Sequence, residues 1–237
     1  MKKETSAAVK KAATQEKAEN KLDYERIRTF VKSYIKEDSE KLEEIYSSAV
    51  EREVPVIRED TRDYLRLLLN QVKPVKVLEI GTAVGYSALF MAEVLDNIGE
   101  YHIDTIELDD VRAEEAQGHI TEFGKEDKIH LYRGDAAEVL KTLTEKYDFI
   151  FIDAAKAQYM NYLQAVMKLV HADSVIVTDN VLESGLVLES HFLVEKRDRT
   201  IHDKLREYLY TLKNDERLET AILSIGDGVA VSVVKKI

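Results

Sequence analysis

The chain has 237 residues, 45% of them hydrophobic and 33% charged, with a formal net charge of −11, which is room for one large globular domain, alone or with an N-terminal addition. Cysteine is absent, so disulfides, thiolate metal sites and a cysteine nucleophile are excluded. No stretch approaches the roughly 18 consecutive apolar residues of a membrane span, and the negative charge speaks against non-specific nucleic-acid binding by the chain as a whole.

Residues 1–21 form a leader of Ala, Lys and Glu with six lysines and three glutamates, a net of +3 that leaves −14 on the remainder. It reads as a frayed helix, a solvated tail or an arm facing nucleic acid. It lacks the apolar run of a secretory signal, and a cytoplasmic protein is expected. Helical spacing follows over 22–53, first with Leu22, Ile27, Phe30, Val31 and Tyr34, then with Leu42, Ile45, Tyr46 and Val50. Pro55 interrupts, and a third helix carries Tyr64, Leu65, Leu67, Leu68 and Leu69. From Val75 short apolar runs alternate with amphipathic stretches. VKVLEI, YHIDTIEL, KIHLYRG, YDFIFID and SVIVTD are separated by helical segments, which predicts a parallel sheet covered on both faces. After a helix near 196–213, ETAILS and VAVSVV flank IGDG, a β-hairpin at the sheet edge. The expected fold is α/β: a doubly wound, mostly parallel, seven-stranded sheet over 54–237, with a C-terminal antiparallel hairpin and N-terminal helices in front.

Chemistry concentrates at the strand ends. The first strand runs into LEIGTAVGYSA, with Glu79, Gly81, Gly85, Tyr86 and Ser87, a turn that brings backbone N–H groups close to a ligand. A dinucleotide fingerprint needs glycines where Ala83 and Tyr86 stand, and a phosphate-binding P-loop needs Lys after Gly85, so a nucleoside without phosphate suits the turn better. Glu107, ending TIEL, can accept from both ribose hydroxyls, and Asp135, in RGDA, from an adenine amino group. Each could equally be a helix cap or first-turn acid. Asp153 and Asp179 end neighbouring strands, and Asn180 adds a third oxygen ligand. This set suits Mg²⁺, with Mn²⁺ or Ca²⁺ as alternatives, although Asp-Asn is also a common turn. Lys156 lies three residues beyond Asp153, where a lysine beside a dication can act as a general base or simply face solvent. Tyr159 and Tyr162 wall the substrate or belong to the core. The six histidines show no ligand spacing and read as structural.

With these residues in place, the chain resembles the S-adenosylmethionine- and metal-dependent O-methyltransferases that include the catechol and caffeoyl-CoA enzymes. The resemblance rests on VLEIGTAVGYSAL, FIDAAKAQY, VTDNVLESG and GDGVAVS in that order, from about Val54 onward. Within that family it is most similar to the bacterial branch that methylates 5-hydroxyuridine in the tRNA anticodon loop to 5-methoxyuridine. The resemblance implies a class I, Rossmann-like fold. It implies that Ile57, Gly81, Tyr86, Ser87, Glu107, Asp135 and Asp153 hold S-adenosylmethionine, that Asp153, Asp179 and Asn180 hold Mg²⁺, and that Lys156 is catalytic. It also implies a homodimer. The acceptor would be tRNA, or alternatively a small catechol-like phenol; a nicotinamide-dependent oxidoreductase is the remote alternative. Glu183 departs from the aromatic or basic residue of many relatives. For a tRNA substrate, phosphate contacts could come from Lys196, Arg197 and Arg199, or from Lys235 and Lys236.

Overall fold

The computed structural model describes residues 24–236, so the leader over 1–21 and Leu22 lie outside the described residues. The chain divides into two compact units, Met1–Ile35 and Lys36–Ile237. The described part of the first is helix α1 (Tyr24–Lys32) and the turn after it. Its apolar residues Ile27, Phe30, Val31 and Tyr34 are all exposed, and the Phe30 and Tyr34 rings meet edge to face at 5.1 Å.

The second unit opens with α2 (Glu40–Glu51) and α3 (Glu59–Val72). Ser39 caps α2 by accepting from the Leu42 N–H. Leu42, Ile45 and Ala49 of α2 are buried in one cluster with Leu65 and Leu69 of α3 and with the sheet. Residues 36–53, grouped by their periodicity with the N-terminal helices, therefore share the compact unit of the sheet. Then follow β1 (Lys76–Ile80), α4 (Tyr86–Asp96), β2 (His102–Glu107), α5 (Asp110–Glu122), β3 (Ile129–Arg133), α6 (Ala136–Thr142), β4 (Tyr147–Ile152), α7 (Tyr159–Val166), β5 (Val170–Thr178), α8 (Arg199–Asn214), β6 (Leu218–Leu223) and β7 (Val229–Val234). Two short 3₁₀ turns, Lys156–Gln158 and Glu183–Leu188, precede α7 and α8.

The seven strands form one sheet in the order β3-β2-β1-β4-β5-β7-β6. Strands β1 to β5 pair in parallel, and β7 runs antiparallel to both β5 and β6. The expected fold class holds, C-terminal hairpin included. Strand periodicity divides the core in two. Val77, Phe149, Phe151, Val175 and Val177 face the cluster built with α2, α3 and α4. Leu78, Ile80, Ile150, Ile152 and Ile176 face the one built with α6, α7 and α8. Strand order reverses between β1 and β4, and sheets of this kind bind ligands beyond the carboxyl ends of the strands at such a switch point. No helix of the described residues is long and apolar enough to cross a membrane.

Candidate active site

Backbone hydrogen bonds continue past the strands and hold three loop starts in a row. Gly81 N–H donates to the Ile106 carbonyl, Asp153 N–H to that of Ile80, and Asp179 N–H to that of Ile152, each at 3.0 Å. Gly81 has φ +96, and a Cβ there would stand 2.1 Å from the Asp153 carbonyl oxygen. Only glycine lets the turn after β1 come this close to the end of β4.

Above this row lies a cleft of about 520 Å³, a size suited to a small-molecule ligand. It is lined by Ile57, Gly81, Tyr86, Ser87, Glu107, Asp135, Asp153, Lys156 and Asn180 among others. Of the residues expected to hold the cofactor or the metal or to be catalytic, Asp179 alone does not line it; Asp179 is 1% exposed and adjoins the cleft through its neighbour Asn180.

The individual side chains are less uniform. Both Glu107 oxygens accept backbone N–H bonds, one from Ala83 and one from Asp109, each at 2.8 Å. The carboxylate is thus fixed at the turn, with lone pairs left for a ligand. Asp135 caps α6, its Oδ1 accepting from the Ala137 N–H at 2.8 Å, and its second oxygen has no bond of that kind. Tyr86 points its hydroxyl away from any ligand role. It donates to Asp38 at 2.9 Å and accepts from the Arg62 guanidinium at 2.8 Å. This buried network also includes the Arg62–Asp38 ion pair at 2.7 Å. Burial and the Asp38 carboxylate hold the Tyr86 phenol well above its ordinary range. What Tyr86 offers the cleft is the start of α4, where Gly85 provides no side-chain cap and the first N–H groups stay open to a ligand.

The acids beside the row are under strain. Burial and the neighbouring Glu79 carboxylate push Asp153 up to about 6, against the opposing pull of Lys156. Burial and Asp153 push Asp179 up to about 7. Asp179 Oδ1 accepts from the Asn180 N–H at 2.8 Å, while Oδ2 is buried without a hydrogen-bond partner. Two carboxylates that repel each other, one with an orphaned oxygen, and an adjacent carboxamide are oxygen donors of the kind a hard divalent cation takes. The residues fit Mg²⁺. Asn180 takes the left-handed φ of 54, which Asn tolerates better than most residues.

Lys156 lies at the start of the 3₁₀ turn after Asp153, its Nζ ion-paired with the Glu183 carboxylate. Tyr159 proves to be core: its hydroxyl donates to the Asp179 carbonyl at 2.9 Å, and its ring packs on Tyr208 at 5.4 Å. Tyr162, 5% exposed, lines the cleft.

Sequence reasoning gave Glu79 no role. It is 0% exposed, accepts from the Thr82 and Thr105 hydroxyls at 2.8 and 2.5 Å, and burial raises its carboxyl. Its signal was a charge inside the otherwise apolar VLEI. Asp227 of the IGDG turn was likewise missed; its carbonyl and carboxylate accept from the Leu182 and Ser184 N–H groups and so hold the loop that carries Glu183. Gly228 is required in that contact, since a Cβ would fall 2.3 Å from Leu182 Cγ.

The family model described as O-methyltransferase matches residues 32–237. The chain belongs to the O-methyltransferase family. It is 32% identical over 203 residues to the caffeoyl-CoA O-methyltransferase of Populus kitakamiensis, a match covering 83% of this chain and 84% of that one. It is 32% identical over 181 residues to the catechol O-methyltransferase of Niastella koreensis, covering 73% of this chain and 79% of the relative. Among solved structures, it is similar to the O-methyltransferase from Bacillus cereus in complex with S-adenosylhomocysteine. That likeness has a TM-score of 0.76 and 25% identity, and covers 89% of this O-methyltransferase and 97% of the other.

Proposed function

We propose that this O-methyltransferase moves a methyl group from S-adenosylmethionine to one of two neighbouring oxygens of its acceptor, and that Mg²⁺ held by Asp153, Asp179 and Asn180 is required. The observation that carries the reading is the buried acid pair, Asp153 and Asp179, with the unpartnered Asp179 Oδ2, beside a ligand-sized cleft that Asp153 and Asn180 line. The cation, when bound, supplies the positive charge that makes an acceptor hydroxyl more acidic, and S-adenosylmethionine supplies the activated methyl. Glu107, immobilised by two backbone N–H groups, accepts from the ribose hydroxyls. The free oxygen of Asp135 accepts from the adenine amino group, and the open start of α4 at Tyr86 and Ser87 receives the amino-acid end. Ile57 gives the cleft an apolar wall. Lys156 hands an ammonium proton to its ion-pair partner Glu183 and, as the neutral amine, takes the proton of the acceptor hydroxyl. Glu183, partly exposed, releases the proton it received to water. Holding donor and acceptor in line supplies much of the rate.

The acceptor best supported is a small phenol with adjacent hydroxyls, the class that the names of the catechol and caffeoyl-CoA relatives point to. The second reading is 5-hydroxyuridine of tRNA, whose O4 and O5 are also adjacent. Of the basic groups that could meet phosphates, Arg197 already pairs with Glu195 and Asp198 and Lys235 with Glu219, while Arg199 donates to the Val194 carbonyl. The homodimer implied by the resemblance is part of the proposal, and analytical ultracentrifugation checks it. Incubation with labelled S-adenosylmethionine and Mg²⁺, offering a panel of catechols in one arm and tRNA lacking the methoxy group in another, decides the acceptor. Transfer to the catechols alone supports the phenol; 5-methoxyuridine in the nucleoside digest assigns the tRNA.

A further inference from the structure

Away from the cleft, two histidines and one carboxylate converge. Nδ1 of His191, in the segment before α8, and Nδ1 of His202, in the first turn of α8, each stand 2.8 Å from the same oxygen, Oδ1 of Asp203. The three ligand atoms all lie within 4.8 Å of one another. His202 is 2% exposed, while His191 and Asp203 are at the surface. The second nitrogen of His202 decides what this arrangement can hold. Nε2 lies 3.0 Å from the Glu189 carbonyl, which can only accept, so Nε2 carries a proton. In the neutral ring Nδ1 then keeps its lone pair, aimed at a carboxylate oxygen. A positive charge has to lie between them, either a second proton or a metal ion. Tying the rear N–H of an imidazole to a backbone carbonyl is how proteins orient a metal-ligating histidine. Asp203, at the surface, completes the set with its carboxylate oxygen. Two further charged side chains line this surface pocket, Glu189 and Arg206, the latter donating to the Val187 carbonyl at 3.0 Å.

We propose that His191, His202 and Asp203 form a second metal site, for a transition-metal ion of the Zn²⁺ class and not for Mg²⁺. Two imidazole nitrogens with one carboxylate suit a borderline ion, whereas Mg²⁺ prefers oxygen alone. Tetrahedral bonds of about 2.1 Å set ligand atoms about 3.4 Å apart, so the 2.8 Å contacts open by about 0.6 Å on binding. The exposed segment carrying His191 can yield by that much, and water completes the tetrahedron. Bound there, the ion ties the segment before α8 to the helix itself.

The test uses full-length protein with Asp179→Ala, which removes the proposed Mg²⁺ site, and titrates Zn²⁺ against a chromophoric chelator in excess Mg²⁺. One tightly bound equivalent is expected. Adding His191→Ala, a surface change that leaves the buried His202 in place, should weaken binding at least about 100-fold, and Asp203→Asn should do the same. Zn²⁺ should also raise the melting temperature of the Asp179→Ala protein and not of the double variants. Failure to outcompete the chelator, or Zn²⁺ binding that His191→Ala and Asp203→Asn leave unchanged, overturns the proposal and leaves a proton-bridged cluster.

Discussion

Replacing Asp179 by Asn should stabilise the metal-free protein while destroying its function. In the fold Asp179 titrates at about 7, against 3.8 for the ordinary side chain, because it is buried and faces Asp153. A carboxyl raised on folding contributes no penalty below its unfolded value. Stability is lost as pH climbs from 3.8 through the folded value, because the fold then has to hold the charged form. At pH 8 the penalty is about 4 kcal/mol, and at pH 4 it falls below about 1 kcal/mol. For a domain of this size about 4 kcal/mol corresponds to a melting shift on the order of 10 °C. The assay is thermal unfolding in EDTA at pH 4 and pH 8, for wild type and Asp179→Asn, repeated with Mg²⁺. The variant should melt higher at pH 8 and nearly level with wild type at pH 4. Mg²⁺ should raise wild type at pH 8 and leave the variant unmoved. A variant no more stable than wild type at pH 8 in EDTA, or an equal gap at both pH values, would refute the reasoning.

Lys156→Met should lower kcat by about 10²- to 10⁴-fold, the range of a lost general base, with S-adenosylhomocysteine affinity unchanged by calorimetry. Gly81→Ala should cost about 3 kcal/mol or more, since it adds a left-handed φ to a 2.1 Å clash with the Asp153 carbonyl; urea denaturation reads it. Asp38→Ala takes from the buried Arg62 guanidinium its 2.7 Å partner and leaves only the Glu43 carboxylate at 3.1 Å, so it should destabilise by about 2 kcal/mol, below the full cost of an unpaired buried charge, visible in the same denaturation series.

The strands were legible because a buried parallel sheet demands near-continuous apolar runs, and YDFIFID or SVIVTD can be little else. The insertion of β7 between β5 and β6 was not legible. ETAILS and VAVSVV carry similar patterns, and either could have taken the edge. At the site, the strand-end acids stood out because a charge closing an apolar run needs a reason. The second engagements of those groups could not be read, since each depends on a contact across sequence distance. Tyr86 reaches back 48 residues to Asp38, and Lys156 reaches forward to Glu183. Tyr159, ambiguous by spacing, was settled by its bond to the Asp179 carbonyl. The histidines looked structural because no helical or loop spacing relates His191 to His202. Only the fold of the segment before α8 brings them to one carboxylate.

The most direct test of the account is the rate of methyl transfer to a catechol as free Mg²⁺ is varied, for EDTA-stripped wild type and for Asp179→Ala, with S-adenosylhomocysteine binding measured in parallel. The account predicts no turnover without Mg²⁺, saturable recovery in wild type, none in the variant, and cofactor affinity alike in both. Full turnover by the stripped wild type, or by Asp179→Ala, would contradict it.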